Sequence, residues 1–321
     1  MVETHRDGPM RLVIALGGNA ILRAGEPGTI EEQFRHAEEA MKPVAELAAA
    51  GHSLIVTHGN GPVVGNIVLR GEAARHEVPP MPLYIAGADS EGGLGLMLQQ
   101  ALHNQMVRIG LDRQVATLVT QTVVDEHDIA FATPQKPIGP YMTAAIAQAR
   151  AEGEGWHVAD FPGRGWRRVV ASPRPLRIVE IDTVTHLAAS GVIVIAAGGG
   201  GVPVTETADG TLRGVDAVID KDWTGSLLAC AMGADAFAIM MESDVVYLDY
   251  GLETQRAIDT ISSAQVEDLL ARGAFEVGTM APKMAAAAHA ASTCGCDSFV
   301  IGPSALIDAI ERGTGTRIVA A

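Results

Sequence analysis

Three short apolar runs in this chain each end in a cluster of glycines, and that pattern restricts the fold more than any other feature. Arg11–Leu16 (RLVIAL) runs into Gly17-Gly18-Asn19, and Ser53–Thr57 (SLIVT) runs into His58-Gly59-Asn60-Gly61-Pro62. Val192–Ala197 runs into Gly198–Gly201. Such runs read as buried strands. Between the first two lies a helical stretch, Thr29–Ala50, with Ile30, Phe34, Ala37, Met41, Val44 and Leu47 recurring at three- and four-residue spacing. Strand, helix and strand form a βαβ unit, whose strands are parallel and whose ligand crevice lies at their carboxyl ends. Glycines there let backbone amides approach a ligand, and helix N-termini add positive potential, which together make an anion site. Each cluster alone is equally the mark of a tight βα turn. Three of them on one edge point to a bound anion.

The alternation continues with a helix near Gly92–Ile109 and a strand at Gln114–Thr120. From Gln121 to about Arg177 the chain becomes polar and rich in Pro, Gly and Trp. A bare loop of that length is uncommon in a compact domain, so residues 121–177 are expected to form a small inserted subdomain or lid. Core elements resume with a helix at Thr183–Ser190 and, further on, helices at Thr224–Met232, Ser263–Arg272, Met284–Ala291 and Ser304–Glu311. Strands are expected at Ala236–Met241, Val245–Leu248, Ser298–Ile301 and the final GTGTRIVAA. The expected fold is an α/β three-layer αβα sandwich on a mainly parallel open sheet, plus a small protruding subdomain. Residues 11–205 are expected to form one lobe and 206–321 a second.

Composition excludes several alternatives. Hydrophobic residues are 48% of the chain and aromatics only 4%, so the core is aliphatic. A net charge of −15, with no basic run interleaved with aromatics, argues against nucleic acid or an anionic membrane as partner. The mean hydropathy is +0.20, but Gly191–Thr205, a long uncharged stretch, is broken by glycines and a proline, short of the roughly 20 apolar residues a span needs. The first residues carry no apolar signal segment, and a cytoplasmic location is expected. Cys230, Cys294 and Cys296 are expected to form no disulfide framework and no metal site.

Of the basic residues only four are lysines: Lys42, Lys136, Lys221 and Lys283. Arginine supplies the generic charge, so a lysine here carries extra information. Lys221 sits between Asp220 and Asp222 where an apolar strand enters a helix. Such a triplet is either a local ion-pair network or a device that neutralises a transferring phosphoryl group, with a carboxylate holding the lysine in place. Lys283, at a Gly-Thr-Met-Ala-Pro-Lys helix start, suits nucleotide phosphates. Lys136 lies in the expected lid. His58, at a strand end, is read as structural. No G-x-x-x-x-G-K-[ST] loop exists, Gly17-Gly18-Asn19-Ala20 does not complete G-x-G-x-x-G, and neither a hydrolase triad nor a metal motif is present.

The motifs, taken together, resemble one family. Ala15-Leu16-Gly17-Gly18-Asn19-Ala20-Ile21-Leu22, His58-Gly59-Asn60-Gly61-Pro62, Lys136-Pro137-Ile138-Gly139-Pro140, Gly163-Arg164-Gly165-Trp166-Arg167, Gly198–Pro203, Val218-Ile219-Asp220-Lys221-Asp222 and Gly278-x-Met280-x-Pro282-Lys283 are similar to carbamate kinases, within the amino acid kinase fold. The similarity runs in order from about Arg11 to Val319. It implies an ATP-dependent kinase interconverting MgATP and carbamate with MgADP and carbamoyl phosphate, the Mg2+ being held mainly by the nucleotide. By this resemblance the amino-terminal lobe holds the acceptor, the carboxyl-terminal lobe the nucleotide, and the chain is a homodimer. Gly17, Gly18 and Asn19 with Gly59, Asn60 and Gly61 would form the phosphoryl and acceptor cradle. Lys221 would stabilise the transition state, Asp222 would organise it, and Lys136 would reach in from the subdomain. Lys283, Asp220, Met280, Asp244, Gly199 and Gly200 would serve the nucleotide.

Two stretches depart from the family pattern. After Met81-Pro82-Leu83 the family usually has Asp and later Thr/Ser-Gln-Gly, where this chain has Tyr84 and Ser90-Glu91-Gly92. In the nucleotide lobe Met240-Met241-Glu242-Ser243-Asp244 replaces Leu-Thr-Gly/Asp-Val-Asp. Tyr84 and Glu91 leave open a kinase of this fold acting on another small carboxylate or carbamate-like acid. Met241-Glu242 leaves open a nucleotide-binding regulator without turnover.

Overall fold

The computed structural model describes residues 8–23, 25–276 and 278–321, and of Asn19 only the backbone. The amino-terminal part runs β1 (Arg11–Leu16), α1 (Ile30–Ala49), β2 (Ser53–His58), α2 (Gly61–Ala73), α3 (Leu83–Arg108), β3 (Val115–Thr117) and β4 (Gln121–Val124). It continues through β5 (Lys136–Met142), α4 (Ala144–Glu154), β6 (Val158–Phe161), β7 (Gly165–Val170), β8 (Pro175–Ile178), α5 (Ile181–Ala189), β9 (Ile193–Ile195), β10 (Val202–Glu206) and β11 (Leu212–Gly214). The remainder is α6 (Lys221–Met232), β12 (Ala236–Met240), β13 (Val246–Leu248), β14 (Arg256–Ile258), β15 (Thr260–Ser262), α7 (Ser263–Ala271), α8 (Met280–Cys294), β16 (Asp297–Ile301), α9 (Leu306–Arg312) and β17 (Thr316–Val319).

Eight strands form the central sheet in the order β15-β17-β16-β12-β1-β2-β9-β3. Every neighbouring pair is parallel except β16–β17. The β1 sequence shows why the sheet is covered on both faces. Leu12, Ile14 and Leu16 point into one core with α1, α3 and α9, whereas Val13 and Ala15 point into the other with α5, α6 and α8. Alternate residues buried on opposite faces are the mark of a strand sandwiched between helix layers. At the start of α1 a capping box ties Thr29 to Glu32 reciprocally, satisfying amides that the helix cannot pair internally. None of the helices among the described residues is long and apolar enough to cross a membrane.

Several element bounds differ from the sequence reading, each for a physical reason. α3 starts at Leu83 rather than near Gly92. Its cap is remote: Asp216 Oδ1 accepts from the amides of Leu83 and Tyr84, at 2.9 and 3.4 Å. The run Gln114–Thr120 does not form one strand. β3 ends at Thr117, and the chain crosses at Thr120 into a second, four-stranded sheet ordered β11-β10-β4-β8. α6 begins at Lys221 and α8 at Met280, because Asp220 caps the first and Pro282 is tolerated within the first turn of the second. Segment 121–177 divides accordingly. Its two ends, β4 and β8, pair in the four-stranded sheet, and its middle forms the three-stranded sheet β5-β7-β6 with α4.

That small unit is seated on α2 by a backbone-to-backbone approach. A Cβ on Gly65 would fall 2.0 Å from the Cα of Gly139, so only hydrogen fits there. Beside the contact lies an apolar cavity of about 170 Å3, lined by Val68, Ile138, Met142 and Trp156 among others. The Trp156 ring is flanked by the guanidiniums of Arg150 and Arg168, at 5.1 and 4.6 Å from its centre. At the tip of the β6–β7 hairpin Arg164 lies within electrostatic reach of Glu242 and Glu276. The small unit therefore extends from α2 across to the loops after β12 and α7.

The expectation of no disulfide is corrected for one pair. Cys230 of α6 and Cys294 of α8 are joined, with Cα atoms 5.0 Å apart. Their sequence separation of 64 residues hid the pairing, because only the packing of α6 against α8 brings them together. Cys296 is free and buried.

Candidate functional site

The carboxyl edge of the central sheet gathers four charged groups at the starts of two helices. Asp220 caps α6: its Oδ1 accepts from the Asp222 amide at 2.9 Å. Its Oδ2 accepts from Lys136 Nζ of β5 at 2.6 Å. Lys221 and Asp222 open α6, and the Lys221 ammonium bonds Asp222 Oδ1. From the first turn of α8, Lys283 Nζ bonds the other oxygen, Asp222 Oδ2, at 2.7 Å. One carboxylate, its side chain 3% exposed, thus serves two ammoniums.

The electrostatics follow from burial and pairing. Burial alone would raise Asp222, but Lys221 and Lys283 outweigh it and hold the carboxyl below its usual range. Burial would likewise raise Asp220, and Lys136, Lys283 and Lys221 hold it well below. Lys221 is pushed down to about 8, burial overriding the attraction of Asp222. For Lys283 burial is the larger single effect, yet the combined pull of Asp222 and Asp220 leaves it raised. Three ammoniums against two carboxylates leave a net charge of +1. Removing one partner from a buried pair of this kind costs about 3–5 kcal/mol, so Asp222 is a structural keystone as well as an electrostatic one.

The glycines of the strand ends pack directly on this array. A Cβ on Gly59 would fall 2.9 Å from the Gly18 amide nitrogen and 3.3 Å from Cδ of Lys221. The turn after β1, the turn after β2 and the stem of Lys221 therefore converge on one point. Gly17 lies against the Met240 carbonyl at the end of β12, and Gly61 opens α2 facing the Pro137 carbonyl of β5. Asn60 is buried and donates from Nδ2 to Ser90 Oγ of α3 at 2.8 Å. Gly199, at φ +64°, lies flush against the Asn60 amide, where a Cβ would overlap it at 2.1 Å. The Gly200 carbonyl accepts from Thr122 at 2.8 Å and from Thr224 of α6 at 3.0 Å. Loop 198–201 hence joins the turn after β2 to the helix that carries Lys221.

Other expected residues occupy the rim. Met280 is the first residue of α8, one turn before Lys283. Asp244 lies in the loop after β12, its carboxylate accepting from Ser304 Oγ at 2.8 Å, and it does not join the lysine cluster. Of Asn19 only the backbone position in the turn after β1 is described. His58 is fully buried beneath Gly198, where a Cβ would fall 2.3 Å from its Nε2. Burial lowers its pKa to about 4, so it is neutral at ordinary pH. Sequence reasoning did not find Thr120, Thr122 or Thr224, which hold the glycine loop, and it marked Ser90, the partner of Asn60, only as part of a departure from the family pattern. The one local signal was the buried polar pair Ser90-Glu91 in α3. Among the described residues there is no group of three His, Cys, Asp or Glu side chains that could hold a metal ion.

Known proteins share this fold and much of this sequence. A model of the amino acid kinase family matches residues 10–302. Carbamate kinase of Pyrococcus horikoshii is 41% identical over 312 residues, covering 97% of this chain and 99% of its own. The structure of Giardia lamblia carbamate kinase bound to citric acid superposes with a TM-score of 0.92 at 37% identity, covering 98% of this chain and 99% of that one. The same enzyme bound to AMP-PNP superposes at 0.89 with 38% identity and the same coverage. The chain belongs to the carbamate kinase family.

The positions where this carbamate kinase family member departs from the usual pattern now have places. Tyr84 does not line the glycine cradle. Its ring lies over Gly214 of β11, where a Cβ would fall 2.5 Å away. Glu91, 1% exposed, does not point into the cradle either. Its Oε1 accepts from Thr120 Oγ1 at 2.6 Å and from the Gly198 amide at 3.0 Å, and its Oε2 from the Thr120 amide at 3.2 Å. Thr120 Oγ1 in turn accepts from the Ala197 amide at 2.7 Å. Glu91 is the anchor of the glycine loop, reached from below. Met241 donates its amide to Ile301 at 2.8 Å and packs into the core, and Glu242 is exposed near Arg164.

Burial pushes the Glu91 carboxyl up to about 8, against the pull of the Thr120 and Gly198 donors. The folded chain therefore keeps a proton that the unfolded chain releases, and stability contributed at Glu91 falls as pH rises from about 4.5 toward 8. Urea unfolding of the wild type and of Glu91→Gln across pH 5 to 9 is expected to show the variant gaining relative stability as pH rises. Parallel profiles would mean that Glu91 is already ionised throughout.

Proposed function

We propose that the chain catalyses reversible transfer of the γ-phosphoryl group of MgATP to carbamate, giving carbamoyl phosphate and MgADP. The observation that carries this reading is the sharing of Asp222 by Lys221 and Lys283 at the starts of two helices, beside glycine turns from three strand ends. Phosphoryl transfer needs little covalent help from the protein and much positioning and charge stabilisation. A carbamate oxygen attacks the γ-phosphorus as the bond to the β-bridging oxygen breaks, and negative charge spreads over the equatorial oxygens. Lys221, fixed by Asp222 and packed on Gly59, meets that charge. Lys283 meets the nucleotide phosphates, and Met280, Gly199, Gly200 and Asp244 border the nucleotide.

The turns of Gly17, Gly18 and Asn19 and of Gly59, Asn60 and Gly61 cradle the acceptor with backbone amides. Carbamate is already an anion, so no general base is required, which accords with a neutral, buried His58. Lys136, bonded to Asp220, ties the small unit of β5, β6, β7 and α4 over the acceptor. The amino-terminal lobe, 11–205, serves the acceptor and the carboxyl-terminal lobe, 206–321, the nucleotide. Asp220 and Asp222 are both engaged by lysines, so Mg2+ enters as part of the nucleotide substrate, held by phosphate oxygens and water. The placement of Tyr84 and Glu91 away from the cradle disfavours an altered acceptor.

A homodimer joined through the amino-terminal lobe is part of the proposal. Ile85, Leu96 and Val107 recur at eleven-residue intervals along α3 and are 38%, 58% and 63% exposed. At about 100° per residue they form one stripe, separated by only about 20° each. Sedimentation of the wild type at twice the chain mass, and of Leu96→Arg as a monomer, is the expected result. A monomeric wild type would exclude this interface.

The reaction is tested by ATP formation from carbamoyl phosphate and MgADP. Turnover of about one per second or faster is expected, falling by roughly 10²- to 10³-fold in Lys221→Ala as a transition-state charge is lost. Activity is also expected to decline above about pH 8 as Lys221 loses its proton. Bound MgADP without ATP formation would overturn the acceptor assignment, and near-normal turnover in Lys221→Ala would overturn the role of that lysine.

A further inference from the structure

α6 and α8 run side by side in the same direction, and contacts at three levels mark their register. At the amino-terminal end Lys283 bonds Asp222 at 2.7 Å. In the middle, Ser226 Oγ and His289 Nδ1 are 3.2 Å apart, and the Trp223 and His289 rings meet edge-on at 5.3 Å. At the far end Cys230 and Cys294 are joined, with Cα atoms 5.0 Å apart. That Cα separation is one a disulfide spans without moving the backbone. Small side chains are buried on both helices, Ala286, Ala287, Ala290 and Ala291 on α8 and Ala229 on α6. Both bridging cysteines are only half-buried, whereas Cys296 is buried. A small reagent therefore reaches the pair and not the third thiol.

We propose that Cys230 and Cys294 form a reversible thiol–disulfide site, oxidised by low-molecular-weight disulfides, which sets the register of the two helices that present Asp222 and Lys283. The effect on ligand rests on the reading of these helix starts as the nucleotide-phosphate site. In the forward step one cysteine thiolate attacks a sulfur of the reagent disulfide and expels one reagent thiolate, leaving a mixed disulfide. The second cysteine thiolate then attacks the protein sulfur of that intermediate and expels the second reagent thiolate. Two cysteine thiols lose two electrons and two protons, and the reagent leaves as two thiols. The bridge lies about 12 Å along α6 from Asp222 and about 16 Å along α8 from Lys283, at 1.5 Å per residue. Closed, it fixes the far ends of both helices and so the pairing of Lys283 with Asp222. Open, it frees α8 to shift against α6, and the ammonium facing the nucleotide phosphates loses its fixed position.

The site is tested on the full chain in two forms, one treated with oxidised glutathione and one with an excess of dithiol. Thiols titrated in denaturant are expected to number one in the first form, Cys296, and three in the second. Calorimetry with MgADP is expected to show binding at least threefold tighter in the oxidised form. Cys294→Ser is expected to bind MgADP with one affinity under both treatments. Three thiols after oxidised glutathione would overturn the proposal, as would equal MgADP affinity in the two wild-type forms. Absence of MgADP binding in both forms would overturn the nucleotide reading and the regulatory effect with it, whereas the thiol count decides the bond itself.

Discussion

A single buried carboxylate holds the chemistry of this molecule together. Asp222 divides its two oxygens between Lys221 beside it on α6 and Lys283 on α8. Neither lysine could be held so far from water without it, because an unpaired buried ammonium loses its proton or its place. A neighbouring carboxylate sets where the first of these helices starts. Asp220 supplies the cap that lets α6 begin at Lys221, and its second oxygen takes Lys136 from a strand 84 residues earlier. Helix capping, lid attachment and charge placement are thus one network. A substitution in it changes all three.

The glycine turns are the second requirement, and they act by letting backbone come close rather than by flexibility. Gly59 admits both the Gly18 amide and the Lys221 stem, and Gly199 admits the Asn60 amide. The loop after β9 stands between these contacts and is anchored by Glu91 through Thr120 and the Gly198 amide. An ionisable group in so buried a place is expensive unless fully hydrogen-bonded. Its three donors offset only part of that cost, so the carboxyl keeps its proton up to about pH 8, and it is turned away from the cradle. A departure from the family pattern that looked like a change of substrate is therefore a change in the support beneath a loop.

Much of this was legible in the sequence, and what was not has a common cause. The strands β1, β2 and β12 are continuous apolar runs, so their burial on both faces followed from local pattern alone. The scarcity of lysine drew attention to four residues, and the motifs around Lys136, Lys221 and Lys283 set those three apart from Lys42, which is exposed on α1. The start of α3 was not legible, because its cap comes from Asp216, 133 residues from Leu83. The split of segment Gln114–Thr120 depends on Glu91 drawing Thr120 into the loop's support, which no strand propensity encodes. The bridge between Cys230 and Cys294 depends on two helices, far apart in sequence, lying side by side. Local elements were read from local residues; pairings between distant residues required the fold.

The central claim is that Asp222 holds two lysines ready for charge on a transferring phosphoryl group. Its most direct test is the kinetics of Asp222→Asn in ATP formation from carbamoyl phosphate and MgADP, with folding checked by circular dichroism. Asparagine keeps the shape and removes the charge that fixes both ammoniums. The account predicts a folded variant whose kcat falls at least about 100-fold, in the range seen when one transition-state donor is lost. A folded Asp222→Asn with kcat within twofold of wild type would contradict it.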